Sequence, residues 1–317
     1  MACRIFNRIA EDPAAEREEL VRGLLATPAS FSPKYFYDEL GCALYGAICQ
    51  LPEYYPTRTE VALFREHRAA IAGAIGSGKQ FVDLGAGDCC KALNWLPFVA
   101  PSRYIAVDIA EAEIHRALTR MAQDFPEIEM VGVVTDFSRR LDLEGVLADG
   151  AATFFYPGSS VGNFAPRDAR RFLEQVRGYL RDRPGSGLLI GVDGKKDKRL
   201  LDAAYDDALG VTAAFNRNAL AHLNRRFGFD FDIAGFIHRG FYNQHEGRIE
   251  MHLEAVRDQV VHVDGRSRAF RAGERIHTEN SYKYRPEEFE ALLDSAGFSR
   301  CRSWRAEGDA YAVFYAE

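Results

Sequence analysis

Between residues 80 and 193 short apolar runs alternate with helix-period stretches, and that rhythm leaves few folds open. FVDL (81–84), YIAVD (104–108), ATFFYPG (152–158) and GLLIGVD (187–193) read as strands, and EMVGVVTDF (129–137) contains another. Residues 90–97, 111–124 and 167–181 read as the helices between them. Short apolar strands separated by helices predict βαβ units, and hence a parallel sheet covered on both faces. Two further strands are expected near 299–305 and 310–316, after a helix over 286–296 that Pro286 opens.

The rhythm changes outside this core. Helices are expected over 197–208 and 212–226, then antiparallel strands in GFIHRGFYN, RIEMHLEAV, QVVHV and RAFRAG, with a turn at His262-Val263-Asp264-Gly265. Ahead of the core, residues 13–26 predict a helix with an acidic first turn, and 33–49 a helical stretch with a break at Gly41. LPEYYPTRTE (51–60), bracketed by Pro52 and Pro56, reads as a stiff loop presenting Tyr54 and Tyr55. A helix over 59–75, capped by Thr57 or Thr59, should follow. The 317 residues and the absence of a low-complexity linker fit two domains. The division expected is a core of residues 62–195 and 286–317, and a second, mixed α+β domain of residues 1–61 and 196–285.

Charge and composition exclude several functions. Forty basic and 46 acidic residues give a net charge of −6, which argues against a nucleic-acid surface, since phosphate binding needs a clustered basic footprint. No apolar run approaches the ~20 residues that span a bilayer, so no membrane role is expected. The acid-rich N-terminus does not read as a targeting segment. The six cysteines form no CxxC pair and read as free thiols of a reducing, cytoplasmic compartment. The eight histidines show no HExxH or closely paired spacing, so no metal is expected.

The first strand–helix junction reads Val82-Asp83-Leu84-Gly85-Ala86-Gly87-Asp88. A glycine turn at this point of a doubly wound sheet lets a ligand approach the backbone. A nicotinamide-type GxGxxG would need glycine at position 90, where Cys90 stands, and no Walker A motif is present. The turn instead resembles motif I of the class I S-adenosylmethionine (SAM) methyltransferases, DxGxGxG, with its last glycine missing. Asp108, closing the second strand, is placed to accept both ribose hydroxyls. Asp136, after the third, is placed to accept the adenine amino group, with Phe137 as an apolar neighbour. Each aspartate alone also admits a reading as a solvated strand end, and Lys91 alone reads as a surface lysine; the three features in order carry the cofactor reading.

Across nearly its whole length the chain also resembles the histidine-specific Nα-methyltransferases that make hercynine for ergothioneine biosynthesis. The resemblance rests on SPKYFYDELG (32–41), LPEYYPTRTE (51–60), DLGAGDCCKA (83–92), FYPGSSVGNFAP (155–166), AAYDDALGVTAAFNRN (203–218), RIEMHLEA (248–255) and IHTENSYKYRP (276–286). It implies an α/β, Rossmann-like class I SAM-dependent methyltransferase core with a second, substrate-binding domain. The activity implied is trimethylation of the L-histidine α-amine; a monomer with L-histidine as its small-molecule partner is expected. By this similarity Gly85, Lys91, Asp108, Asp136 and Phe137 would contact SAM. Tyr54, Asn163, Tyr205, Glu279 and Ser281 would contact the amino acid, with Met251 packed near its ring. Tyr37 would lie near the reacting nitrogen, and Gly158 would line that pocket. The glycine turn departs from the family's more polar stretch, and Tyr45 stands where an aromatic residue, often phenylalanine, is expected.

These residue types suit the chemistry. A neutral imidazole has one nitrogen that donates and one that accepts. Glu279 can accept from the first, and the Ser281 or Tyr54 hydroxyl can donate to the second. Spacing of two on a strand puts Glu279 and Ser281 on one face. The Asn163 amide and the Tyr205 hydroxyl suit a substrate carboxylate, although Asn163 alone reads as a turn residue and Tyr205 as a packing one. Two alternatives stay open at this stage: methylation of another amino acid or aromatic amine, and a catalytically silent relative that only binds ligands.

Overall fold

A computed structural model describes residues 3–9 and 12–317. The chain forms two compact units. The first holds residues 3–9, Pro56–Lys195 and Lys283–Glu317; the second holds residues 12–55 and Lys196–Tyr282.

The first unit is built on an eight-stranded sheet. Its order is Arg4–Asn7, Glu129–Val134, Arg103–Asp108, Gln80–Leu84, Ala152–Tyr156, Gly187–Asp193, Tyr311–Ala316 and Cys301–Arg305. The first six strands are parallel, and the last two pair antiparallel. Gln80–Leu84, Ala152–Tyr156 and Gly187–Asp193 are buried at every position, as strands covered on both faces must be. The amphipathic helices Glu111–Asp124 and Pro166–Leu180 supply buried stripes, Ile114, Leu118 and Met121 in one, Phe172, Leu173 and Val176 in the other. Gln80–Leu84 lies between Arg103–Asp108 and Ala152–Tyr156, so strand order reverses there. In open sheets of this kind ligands bind at that switch point, outside the carboxyl ends of the strands.

The second unit is a four-stranded sheet ordered Ala29–Ser30, Arg275–Tyr282, Arg248–Ala255 and Phe236–Asn243, with a separate hairpin of Gln259–Val263 and Arg266–Phe270. The helices Lys198–Tyr205 and Val211–Phe227 belong to the same unit. Their buried Leu201, Phe215, Leu220 and Leu223 join Phe236, Ile249, Leu253 and Ile276 of the strands in one core.

Several boundaries differ from the sequence expectation. Arg4–Asn7, expected with the second domain, is an edge strand of the first unit's sheet, paired in parallel with residues 131–134. The first unit also resumes at Lys283 rather than at 286. The helical stretch expected over 33–49 breaks at Tyr37-Asp38, not at Gly41: a 3₁₀ turn spans Pro33–Phe36 and a helix Glu39–Ile48. Asp38 caps that helix by accepting from the Gly41 amide at 2.8 Å. Gly41 is needed inside it, because a Cβ there would fall 1.6 Å from the Phe36 carbonyl oxygen. The loop expected through residue 60 ends sooner, with a helix over Tyr55–Glu66. Proline is well suited to a first helical turn, so Pro56 starts an element rather than closing a loop. Thr57 and Thr59 therefore lie within the helix rather than capping it, and a second helix, Arg68–Ile75, follows. The helix expected over 90–97 is two short pieces, Cys90–Leu93 and Leu96–Val99.

Candidate active site

In the first unit the glycine turn leaves the buried strand Gln80–Leu84 at the switch point. Gly85 and Gly87 have φ of +69° and +50°, a left-handed backbone natural to glycine. Cys89 stands where the missing third glycine of the motif would be, and it is forced to φ +60°. A Cβ on Gly85 would meet Phe137 Cζ at 3.8 Å and Tyr156 Cε2 at 3.9 Å, so the bare glycine keeps the space beside the Phe137 ring open. That ring stands edge-on to Tyr156, with centroids 5.9 Å apart, and 5.8 Å from Phe172.

Asp108 braces the turn. One carboxylate oxygen accepts from the Gly87 amide and the other from the Ala110 amide, both at 2.9 Å. The Ile109 amide also bonds this carboxylate, which leaves it limited capacity for an outside donor. Burial pushes the Asp108 carboxyl above its ordinary range, against the pull of those amides. Asp136 accepts from the Ser138 hydroxyl, and Arg139 lies 3.8 Å from its other oxygen. Behind the turn, buried Asp83 accepts from the Tyr104 hydroxyl at 2.7 Å, and burial pushes its carboxyl up to about 7.

Lys91 does not read as a free surface lysine in this structure. Its ammonium donates to Glu60 Oε2 at 2.8 Å. Gly158, with φ +77°, donates its amide to Glu60 Oε1 at 2.7 Å. Asn163 ends the 3₁₀ turn Ser160–Asn163, half-buried, on the segment that leaves the strand Ala152–Tyr156. Glu60 was not singled out by its sequence, since a glutamate in a helical stretch ordinarily faces water.

In the second unit a buried polar cluster forms around two strands and two helices. Arg275–Tyr282 pairs antiparallel with Arg248–Ala255, placing Ile276 opposite Leu253 and His277 opposite His252, but Glu279 opposite Met251. Thr278 is the extra residue of a β-bulge there, its hydroxyl donating to the Met251 carbonyl at 3.0 Å. The bulge changes the phase of the strand. Glu279 (8% exposed) and Ser281 (3%) consequently share the buried side with Ile276. The Tyr205 hydroxyl donates to Ser281 Oγ at 3.1 Å, and the Tyr54 and Tyr205 rings meet edge to face at 6.0 Å.

Burial raises the Tyr54 hydroxyl well above its ordinary value, with Tyr45, Tyr205, Cys49 and Glu279 adding to it in that order. The cluster therefore presents neutral hydroxyls. Tyr45, which had no assigned part, is raised first by burial and lies within hydrogen-bonding reach of Tyr54 and Cys49. Tyr37 packs edge-on against Tyr45 at 6.0 Å and Phe215 at 5.8 Å. Met251 is buried opposite Glu279. His238, unnoticed in the sequence, holds Tyr205 from behind: its Nε2 lies 2.7 Å from the Tyr205 carbonyl oxygen and its Nδ1 2.8 Å from Asn216 Nδ2. A carbonyl only accepts, so the proton sits on Nε2 and the ring is neutral.

The two sets of groups differ in chemistry. The first unit offers a glycine turn, acceptor carboxylates at successive strand ends and an aromatic face, a set that fits a nucleoside with a polar tail. The second offers one carboxylate among neutral hydroxyls and a thioether, a set that fits a small, flat, polar ring. Among the described residues, no group of three or more His, Cys, Asp or Glu could hold a metal ion, and no helix is long and apolar enough to cross a membrane.

Comparison with known proteins gives a consistent result. The family model described as histidine-specific methyltransferase, SAM-dependent, matches residues 16–317. The histidine N-alpha-methyltransferase of Mycolicibacterium smegmatis is 39% identical over 312 residues, covering 96% of each chain. The enzyme of the same name from Mycobacterium tuberculosis is 36% identical over 321 residues, covering 99% of this chain and 98% of its own. Ergothioneine biosynthesis protein 1 of Neurospora crassa is 28% identical over 288 residues, which are 87% of this chain and 32% of that protein.

Proposed function

The chain belongs to the SAM-dependent, histidine-specific methyltransferases, and from that premise we propose that it transfers three methyl groups to the α-amine of L-histidine. The product is hercynine, and the reaction is the first step of ergothioneine biosynthesis. The observation that carries this reading is the match of family and relatives over nearly the whole chain. The buried set Glu279, Ser281, Tyr54 and Tyr205 supports it with the chemistry an imidazole needs.

SAM, when bound, supplies a methyl on a sulfonium, which is already a good leaving group. The protein's contribution is then mainly positioning. Gly85 and Gly87 give the cofactor close approach to the backbone, Asp108 accepts its ribose hydroxyls, and Asp136 with Phe137 receives the adenine. Lys91 faces its carboxylate. Glu279 accepts the imidazole N–H, and Ser281 or Tyr54 donates to the other ring nitrogen. A side chain unable to complete that pair leaves buried groups unsatisfied, at a cost of about 1–3 kcal/mol each. Gly158 and Asn163 stay assigned to the amino acid, as does Met251 beside its ring.

Tyr37 orients the α-amine, and solvent or a neighbouring carboxylate takes the proton lost before each transfer. Every round adds a methyl and removes a donor from the nitrogen, so the grip on the substrate belongs at the imidazole. No metal is required, because the sulfonium is itself the activated group. We place the reaction in the cytoplasm and assign it to a monomer.

Mass spectrometry after incubation with SAM and L-histidine tests the proposal. Mono-, di- and trimethylated histidine should appear in turn. If labelled methyl instead reached another amino acid or an aromatic amine from a panel, the substrate assignment would fall. Retention of both ligands without transfer would mark a silent relative.

A further inference from the structure

Glu60 sits in the middle of the helix Tyr55–Glu66, and its side chain is only 1% exposed. A buried carboxylate is tolerated only when its lone pairs are used, and three separate segments use these. Oε2 accepts from the Lys91 ammonium at 2.8 Å. Oε1 accepts from the Gly158 amide at 2.7 Å and from the Tyr311 hydroxyl at 2.6 Å.

Two glycines make room for this arrangement. A Cβ at Gly191 would fall 2.4 Å from Glu60 Oε1 and 2.5 Å from the Tyr311 hydroxyl. A Cβ at Gly158 would fall 2.7 Å from the Lys91 ammonium. The site is thus shaped around one carboxylate. Its donors include the lysine and the glycine already assigned to ligand contacts.

We propose that Glu60 is a positioning residue of the SAM site: it fixes the Lys91 ammonium and the Gly158 amide in one geometry and balances the lysine's charge. This rests on the reading above that Lys91 faces the cofactor. The charge balance has a specific consequence. SAM carries an ammonium, a sulfonium and a carboxylate, for a net charge of +1; S-adenosylhomocysteine lacks the sulfonium and is neutral overall. A lysine stripped of its counter-ion therefore repels SAM more than its product.

The test is calorimetry with SAM and with S-adenosylhomocysteine on Glu60→Gln. The glutamine oxygen can still accept from Gly158 and Tyr311, while its amide hydrogens oppose the ammonium. The expected result is a folded variant that binds SAM about tenfold more weakly, S-adenosylhomocysteine less than threefold more weakly, and L-histidine unchanged. Combining the change with Lys91→Met should remove the difference between the two nucleosides. Equal weakening of both nucleosides would reduce Glu60 to a structural role, and unchanged SAM binding would end the proposal. If Glu60→Gln does not fold, Tyr311→Phe leaves the charge in place and frees one lone pair. It should weaken SAM and S-adenosylhomocysteine by a few-fold only while Lys91 is present; the same loss in a Lys91→Met background would mark a structural role, and no change would again overturn the proposal. A wild-type chain that binds no SAM would instead refute the reading on which the inference rests.

Discussion

The Tyr205 hydroxyl donates to Ser281 Oγ at 3.1 Å, joining the last residue of a helix to a strand far along the chain. The same tyrosine is held at its carbonyl by His238, so both ends of the residue are fixed. A phenol secured in this way keeps its rotamer without ligand. For the substrate contact proposed above, that lowers the ordering cost of binding.

Glu279→Ala should weaken L-histidine binding by about tenfold to a hundredfold, the equivalent of ~1.5–3 kcal/mol for a hydrogen bond to a charged group. SAM binding should persist. Calorimetry with each ligand separately is the check, and unchanged histidine affinity would remove Glu279 from the imidazole site.

Asp108→Asn keeps one oxygen for the backbone amides of Gly87, Ile109 and Ala110 that the carboxylate now serves, but turns the other acceptor into a donor. SAM affinity should fall by roughly tenfold, about 1.4 kcal/mol, with histidine affinity unaltered. Equilibrium binding of a labelled cofactor decides it; equal affinity for SAM in both proteins contradicts the ribose assignment.

Asp83 predicts an alkaline weakness. Its carboxyl is raised from 3.8 to about 7, chiefly by burial. Folding therefore takes up a proton between those values, so the stability held at low pH is lost as pH rises through about 7. Asp83→Asn should flatten the pH dependence of the unfolding midpoint from about pH 4 to 7. A wild-type profile with the same slope as the variant's would contradict it.

His238 predicts the opposite sign. Burial, the leading cause, holds it below the ordinary imidazole value, against the pull of the Tyr205 carbonyl and of Asp206 and Asp207, while Arg217 lowers it further. Protonation would also turn Nδ1–H toward the Asn216 amide. Its contribution is present above about pH 6.5 and is lost as pH falls through its folded value. His238→Gln should lessen acid destabilisation, and it should raise the KM for histidine by loosening Tyr205. Identical acid limbs in urea unfolding of the two proteins would exclude this.

The fold class was legible because burial writes itself into local pattern. Gly187–Asp193 and Glu111–Asp124 run over the residues that their apolar spacing predicts. Pro56 misled because proline both disfavours helix before it and begins helix after it. Arg4–Asn7 could not be placed, since its partners 131–134 lie more than a hundred residues away. Glu60 was hidden for the same reason: Lys91, Gly158 and Tyr311 meet it only through tertiary structure. His238 is one of eight histidines, and no spacing distinguishes it from a packing residue.

The single extra residue at Thr278 makes the proposed substrate choice a matter of parity. Side chains alternate along a strand, so regular alternation from Ile276 through Thr278 would send positions 279 and 281 to the opposite face of the sheet, and the bulge is what keeps them on the buried side. Substitutions at either position can adjust the preference by degrees. Deleting Thr278 would leave both positions on the buried side of a regular strand, whereas straightening the bulge with every residue kept would exchange the whole proposed recognition surface at once, which makes the local backbone, more than the side chains at 279 and 281, the feature on which the proposed substrate choice turns.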